Sequence, residues 1–447
     1  MTEQSQFEPL YMHSAANEPI DLGKIESEFA IGDSRKTVDA QVTQVFVPKA
    51  ELRFGVAAKH LRSVDFLKLF SEQTACDEIL LGKCKVRCKA IRIEASTERG
   101  VTFAPATAGV VVTKPSASIV QSIIHLLNFP LFALPAKRSE SANAASERCD
   151  CIELSAGGWH LVISPHERTR TLDDELKRTG GYAITHIAQL TRADGSEYSS
   201  EALDMAVHRT HAFLSFALGR WSGAFMPIGL DVGGDRVHEE WGVRHASPGQ
   251  WSPSVSWFCA TRAHSLEAVF PGFWSLWDDP IWGEAFSTVL WWYLNANAAG
   301  TDVGVDSKLI LAQVALEQIA WTHCVRAEKM VSEEAFGRRG LSAADKIRLL
   351  LTTLSIPTAI PSVLASLRSR PGENWDDGPD AITSVRNALV HPRKKDNMSG
   401  DNYAQAWQLA MWYLDMVLLR LCEYNGDCSN RLKLDRYVGE VERVPWA

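Results

Sequence analysis

Alternating apolar and polar residues mark the first third of the chain and predict β-strands there. Segments rich in β-branched residues are separated by Gly, Pro or Ser, the pattern of strands joined by turns. These segments are VTQVFV (42–47), KCKVRCKAIRIE (83–94), AGVVVTKP (108–115) and CDCIELSAGGWHLVIS (149–164). We therefore expect a β-rich module of sandwich or barrel type over residues 31–165, preceded by a flexible acidic tail in residues 1–30.

The longest apolar stretch, SIVQSIIHLLNFPLFALPA at 118–136, predicts a buried helix followed by a turn. Gln121, His125, Asn128 and two prolines interrupt it, so it fails as a membrane span. The chain begins without the basic and apolar regions of a secretory signal. We therefore expect a cytoplasmic protein that does not bind membranes.

Residues 166–278 mix the two periodicities. GGYAITHIAQLTRADG (180–195) predicts a strand that ends in an Asp-Gly turn. SSEALDMAVHRTHAFLSFALG (199–219) predicts a helix that Ser199 or Ser200 caps and Gly219 ends. The region from Trp221 to Trp292 is dense in tryptophan, which either fills a core or stacks on bases and sugars. The predicted inward stripe of the helix is Leu203, Val207, Thr210, Leu214 and Ala217.

Helical periodicity takes over from residue 279 and continues through residue 447. Short polar links join five candidate helices, and the last of these is apolar on nearly every side. The predicted fold class is therefore α+β multidomain, with a strand-rich N-terminal module, a mixed middle segment and an all-α helical bundle. The five segments are 281–299, 306–325, 342–356, 379–390 and 401–424.

Composition narrows the possible partners and cofactors. The net charge is −8, so any contact with nucleic acid requires a local basic patch. The nine cysteines do not have zinc-site spacing, and we expect buried thiols in a reducing compartment. The chain lacks a phosphate-cradling glycine loop, a nucleophile elbow and a dinucleotide fingerprint. We therefore expect no cofactor.

The segment SVRNALVHPRKK at 384–395 is the main candidate for chemistry. Arg386 suits the oxygens of a phosphate, because its guanidinium is planar and permanently charged. His391 lies at the predicted end of a helix, where the helix dipole favours an imidazolium able to transfer protons. Asn387 is placed to orient His391 or to bind the same phosphate. The basic patch that follows predicts contacts to the RNA backbone, and it consists of Arg393, Lys394 and Lys395.

This RNxxxH motif, in an all-helical C-terminal region, resembles the HEPN domain. AMWYLDMVLLRLCEYNGDCSNRL is similar to the Apea-like HEPN group, and the resemblance covers residues 280–435. It implies a metal-independent endoribonuclease in antiphage defence or stress response, cleaving RNA, tRNA included, by 2′-hydroxyl attack. It also implies a homodimer through the HEPN domain. Arg386 and His391 would be catalytic and Asn387 supporting.

Several alternatives remain open from the sequence. The bundle could bind RNA, a nucleotide or a phage protein without cleaving anything, and the N-terminal module could hold a phage or regulatory partner. Without the resemblance, Arg386 and His391 could be the solvated end of a helix. Glu317 lies on a stripe with Ile310, Val314 and Trp321, where a carboxylate is costly unless paired. We therefore consider Glu317 as a residue that orients Arg386 or His391.

One further cluster could bind a metal. Asp204, His208, His211 and Ser215 recur at helical spacing, as zinc or manganese ligands do. A solvated polar helix face is the simpler interpretation, and we predict no metal site.

Overall fold

The fold was analysed in a computed structural model of the 447-residue chain. The model separates into two compact units that interleave along the chain. The sheet unit comprises Met1–Leu131, Gly158–His211 and Ser222–Ser252, and the helical unit comprises Phe132–Gly157, Ala212–Trp221 and Pro253–Ala447. The structure describes residues 10–447 except 32–33, 58–77, 82–85, 89–90, 97–99, 106–108, 115–117, 133–150, 244–247, 254, 299–303, 338–339, 369–374, 392–397, 434, 436 and 438.

Strands make up most of the sheet unit, and neighbouring strands within this unit pair antiparallel. The strands of the described chain are β1 Ile20–Ile31, β2 Ser34–Val45, β3 Glu51–Val56, β4 Glu78–Leu81, β5 Val86–Cys88, β6 Ile91–Ser96, β7 Gly100–Pro105, β8 Gly109–Thr113, β9 Gln121–Leu127, β10 Ile152–Ala156, β11 Trp159–Pro165, β12 Ile184–Arg192, β13 Gly223–Leu230, β14 Arg236–Gly242, β15 Asp427–Cys428 and β16 Glu442–Arg443.

Two sheets form the sheet unit and share one apolar core. The first has the order β5-β4-β1-β2-β3-β7-β6, and within this unit the second has the order β11-β12-β9-β13-β14-β8. Phe54 from the first sheet and Leu127 and Phe225 from the second belong to the same buried cluster. This packing confirms the predicted strand-rich N-terminal region.

Helices form most of the helical unit. Those of the described chain are α1 Thr169–Thr179, α2 Ser200–Leu218, α3 His264–Asp278, α4 Gly283–Asn297, α5 Val305–Trp321, α6 Glu333–Phe336, α7 Ala343–Thr353, α8 Ala365–Arg368, α9 Gly378–Val390 and α10 Gly400–Leu421, and a π-helical turn spans Thr322–Ala327. The five helices predicted after residue 279 correspond to α4, α5, α7, α9 and α10. None of the described helices is both long and apolar enough to cross a membrane.

Local capping explains where the helices of the bundle begin. The Ser342 hydroxyl accepts from the Asp345 N–H and starts α7, and Ser399 starts α10 in the same way. Asp377 caps α9, and Pro379 in its first turn costs no intrahelical bond. Helix α10 packs on α3, α4, α5, α8 and α9, which bury it on nearly all sides. Its apolar sequence is therefore satisfied within one chain, so it is no longer an argument for a dimer.

The buried helix predicted for residues 118–136 is wrong. Its apolar core is strand β9, which lies between β12 and β13 with six of its seven residues buried. A central strand covered on both faces is apolar throughout, and a short apolar run does not distinguish it from a buried helix.

Strand β1 occupies residues for which a flexible tail was predicted. IDLGKIESEFAI alternates between apolar and polar positions, but its acidic residues conceal the period in composition alone. The chain before β1 is also fixed: Tyr11 and His13 are buried. The Tyr11 N–H donates to His125 Nε2 at 3.3 Å, and the Ile184 N–H donates to His13 Nδ1 at 3.0 Å. Both imidazoles thus act as neutral acceptors, and burial lowers the pKa of each to about 4.

Three cysteines of the described chain are buried thiols as predicted, whereas Cys259 is a free thiol that is only half-buried. Cys324, Cys422 and Cys428 are buried free thiols, and burial raises the pKa of Cys324 to about 11. Cys151 is disulfide-bonded instead, which corrects the prediction of thiols throughout.

A buried ion pair ties α4, α10 and the C-terminal segment together. The Arg431 guanidinium donates Nε to Asp415 Oδ2 at 2.6 Å and Nη2 to Oδ1 at 3.1 Å. Arg431 Nη1 donates to Asn297 Oδ1 at 2.8 Å, and the Tyr293 hydroxyl donates to Asp415 at 2.7 Å. Both charged side chains are almost inaccessible, at 2% and 1% exposed. Every nitrogen of this arginine therefore has an acceptor, as a buried charge requires.

Candidate functional site

Four helices of the helical unit, α5, α6, α7 and α9, surround an open groove of about 500 Å³. That volume lies in the range of small-molecule sites, roughly 300–1,000 Å³. We call it the α5–α9 groove. It is lined by Val314, Glu317, Gln318, Trp321, Glu333, Phe336, Gly337, Lys346 and Arg386.

Arg386 is the least satisfied charged residue of this groove. Its Nη1 donates to Asn387 Oδ1 at 3.4 Å, which is long for a hydrogen bond. Its Nε is buried and has no acceptor among the described residues. A buried N–H without an acceptor has lost its water and gained nothing in return, which costs about 1–3 kcal/mol. The groove thus holds a guanidinium that lacks an anion.

The other cation of the groove, Lys346, lies over an aromatic ring. Its Nζ is 5.1 Å from the centroid of Phe336, a cation–π contact. Glu317 and Glu333 line the same groove, yet neither forms an ion pair with Lys346 or Arg386 in the described part of the chain. The groove therefore presents two positive and two negative side chains of the described chain that form no ion pairs with one another.

Glu317 is held by the helix that carries it. Gln313, one turn earlier on α5, donates Nε2 to Glu317 Oε1 at 2.8 Å. Glu317 is half-buried, so the stripe it shares with Val314 and Trp321 is a groove wall rather than the core face of α5. The structure brings Glu317 and Arg386 to one groove, as the sequence suggested, but it forms no bond between them.

Trp321, an aromatic residue that lines the groove, lies where the helix geometry changes. Helix α5 ends at Trp321, and a π-helical turn follows directly. Such turns often occur at functional sites. The Arg326 guanidinium from this turn lies 5.4 Å from the centroid of Trp321, and the half-buried ring lines the groove.

His391 does not line the groove with Arg386. It is the exposed C-cap of α9, and its backbone N–H donates to Asn387 O at 3.0 Å. Five residues at about 100° each separate the two positions by about 140° around the helix. Asn387 is half-buried and accepts from Arg386 rather than orienting His391 through its side chain. The predicted basic patch Arg393, Lys394 and Lys395 lies outside the described residues.

The second predicted cluster, on α2, forms no metal site. Asp204 and His208 are half-buried, whereas His211 and Ser215 are buried, so the solvated polar face predicted as the simpler alternative is also wrong. Among the described residues, no three His, Cys, Asp or Glu side chains gather as metal ligands. Four of the nine tryptophans of the dense region are buried in cores, Trp241, Trp257, Trp274 and Trp282, and the other five are partly or fully exposed.

Sequence reasoning missed Lys346, Phe336 and Glu333 as groove residues. Glu333 and Phe336 come from the short helix α6 and Lys346 from α7, and only the packing of these two helices brings the three residues to Arg386. A lysine four positions after a capping serine gives no signal of its own. Trp321 was visible, because it shares the helical stripe of Glu317.

Comparison with known proteins finds similarity to two YopA domains and does not support the HEPN resemblance. Residues 279–443 match the YopA C-terminal domain, and residues 114–252 match the YopA central domain. The HEPN resemblance predicted for residues 280–435 is therefore wrong. An RNxxxH motif at a helix end is too short to define a family.

A relative of similar length is also similar to almost the whole chain. "SPbeta prophage-derived uncharacterized protein YopA" of Bacillus subtilis (strain 168) is 26% identical over 458 residues, covering 99% of each chain. No solved structure matches this chain. The chain is thus similar to YopA along nearly its whole length.

Proposed function

We propose that the helical unit binds a nucleotide, either free or at the end of an RNA strand, in the α5–α9 groove. The phosphate would take the unpaired Nε of Arg386, and the base would lie against Trp321. The observation that carries this proposal is the buried Arg386 Nε without an acceptor among the described residues. A phosphate oxygen would supply that acceptor in a charge-assisted hydrogen bond.

Two further features of the groove support a nucleotide. Lys346 gives a second positive charge without a carboxylate partner in the described chain, which suits the divalent charge of a terminal phosphate. Trp321 offers a half-exposed ring, and bases stack on such rings whatever their sequence. The groove is also large enough for a ligand of this size.

The test is isothermal titration of the full chain with 5′-AMP, with inorganic phosphate and with short RNAs that carry or lack a 5′-phosphate. We expect Arg386→Ala to weaken binding by about tenfold to a hundredfold, because it removes hydrogen bonds to a charged group. Arg262→Ala is the matched control, since Arg262 is exposed in the same unit outside the groove. Equal affinity of all three proteins would contradict the proposal.

The RNA arms of the titration separate the two sources of the ligand. Tighter binding of 5′-phosphorylated RNA than of AMP would make a strand end the ligand. AMP binding without an RNA effect would make a free nucleotide the ligand. The relative's name ties that protein to a prophage. We place this chain in the same setting, where a nucleotide or RNA signal of infection would be the natural ligand.

Metal-independent RNA cleavage is the second candidate. The observation in its favour is the exposed His391 imidazole at the C-terminus of α9, five residues after Arg386. His391 would take a proton from the 2′-hydroxyl or give one to the leaving oxygen, and the Arg386 that stabilises the phosphorane would come from a second copy of the chain, because the two side chains of one chain do not share the groove. Incubation with total RNA in EDTA tests it. Cleavage that His391→Ala abolishes would establish the enzyme, whereas unchanged RNA would leave binding as the function.

A further inference from the structure

Glu317 is the residue of the α5–α9 groove whose role phosphate binding leaves unexplained. A carboxylate repels phosphate, so a site for phosphate alone would not place one in its wall. Glu317 nevertheless lines the groove and is half-buried. Phosphate binding therefore does not account for the position of this carboxylate.

The bond from Gln313 fixes which ligand groups Glu317 can accept. Gln313 is 2% exposed, and its Nε2 already donates to Glu317 Oε1. Glu317 lines the groove, whereas Gln313 is buried behind it, so a ligand can reach only the second carboxylate oxygen, Oε2, which has no hydrogen-bond partner in the described part of the chain. A carboxylate oxygen only accepts hydrogen bonds. A ligand group facing Glu317 is therefore favoured if it is a hydrogen-bond donor.

An exocyclic amino group is such a donor, and three of the four RNA bases carry one, whereas uracil offers only its ring N3–H between two carbonyl oxygens. Adenine, cytosine and guanine each have an exocyclic amino group, and carboxylates accept from amino groups of this kind. Uracil presents carbonyl oxygens where cytosine presents its amino group, and an oxygen facing Glu317 would be repelled. A base resting on Trp321 would thus be distinguished by what its edge offers to Glu317.

We propose that Glu317 selects nucleotides whose base bears an exocyclic amino group and rejects uridine nucleotides. This inference rests on the proposed function, because it needs the phosphate held at Arg386. Glu317 is then a specificity-determining residue, and Gln313 positions its carboxylate.

The test compares affinities for 5′-AMP, 5′-CMP, 5′-GMP and 5′-UMP by isothermal titration with the full chain. In the wild type we expect at least one amino-bearing nucleotide to bind about tenfold more tightly than UMP. In Glu317→Leu that ratio should fall to about one, chiefly through loss of affinity for the amino-bearing nucleotide. A general structural defect would weaken all four nucleotides alike and leave the ratio unchanged.

The controls separate this inference from the proposed function. Glu284→Leu removes an exposed carboxylate of α4 that does not line the groove and should keep the discrimination. Arg386→Ala should weaken all four nucleotides while keeping the ratio. A ratio that survives in Glu317→Leu, together with the expected loss in Arg386→Ala, would overturn the role of Glu317 alone. Failure of the wild type to bind any nucleotide would overturn both.

Discussion

Arg431 and Arg386 lie in the same helical unit and have opposite surroundings. Arg431 is fully buried, and its guanidinium donates to Asp415, Asn297 and the Val255 carbonyl. Arg386 lines an open groove, and its buried Nε has no acceptor in the described chain. Folding has completed the first site and left the second incomplete. The difference separates an arginine whose charge is paired inside the unit from the arginine to which we assign ligand binding.

Removal of Arg431 should give the largest effect on this comparison. We expect Arg431→Met to lower the free energy of unfolding by about 3–5 kcal/mol, because Asp415 would be left as a buried charge without its partner. Urea unfolding followed by circular dichroism measures this. Asp415→Leu combined with Arg431→Met should recover part of the loss, since no unpaired charge remains. A loss below 1 kcal/mol in Arg431→Met would contradict the assigned role.

Lowering the pH should destabilise the sheet unit through its buried histidines. Burial lowers the pKa of His13 and His125 to about 4 and that of His186 to about 3. As pH falls, the unfolded chain binds protons first, near its ordinary pKa of about 6.5. Stability is therefore complete above pH 6.5 and declines between pH 6.5 and 4.

The size of the acid effect follows from the same linkage. We expect a loss of about 1 kcal/mol for each histidine on going from pH 6.5 to 5.5. Urea unfolding at the two pH values measures it. His125→Gln keeps an acceptor for the Tyr11 N–H and should reduce the pH dependence. An unchanged pH dependence in His125→Gln would show that His125 does not contribute.

Arg386 should respond in the opposite way to Arg431. We expect Arg386→Ala to change the free energy of unfolding by less than about 0.5 kcal/mol, or to raise it, because it removes an unsatisfied buried N–H. Thermal unfolding with and without 5′-AMP checks this. AMP should raise the midpoint of the wild type and not that of Arg386→Ala. A loss of stability as large as that of Arg431→Met would mean that Arg386 is a structural residue.

Lys346 should give the smallest effect. Its ammonium lies over Phe336, and it would attract the phosphate as a point charge, without the paired hydrogen bonds that an arginine can form. We expect Lys346→Met to weaken AMP binding a few-fold and to make binding less sensitive to salt. Titration at two ionic strengths measures both. Lys308 is a matched control outside the groove, since it also lies over an aromatic ring, that of Trp407.

The sequence predicted the elements of the helical unit better than its site. Helices α4, α5, α7, α9 and α10 follow from apolar periodicity and from capping residues such as Ser342 and Ser399, which act locally. Strand β9 was mistaken for a helix because burial on both faces erases the period of a strand. The alternation in β1 was concealed by its acidic residues.

The contrast between Arg431 and Arg386 was not available from the sequence. Both are arginines near apolar helices, and only tertiary packing gives one of them Asp415 and leaves the other facing a groove. Arg386 was singled out from the sequence and lines the groove, whereas its predicted partner His391 is an exposed helix cap. Lys346 reached the groove through the fold alone.

A crystal structure of the chain soaked with 5′-AMP tests the central claim most directly. We predict density for the nucleotide in the α5–α9 groove, with a phosphate oxygen about 2.7–2.9 Å from Arg386 Nε. The base should lie against Trp321 with its amino group directed toward Glu317. A nucleotide bound elsewhere, or a groove that stays empty at saturating AMP, would contradict the account.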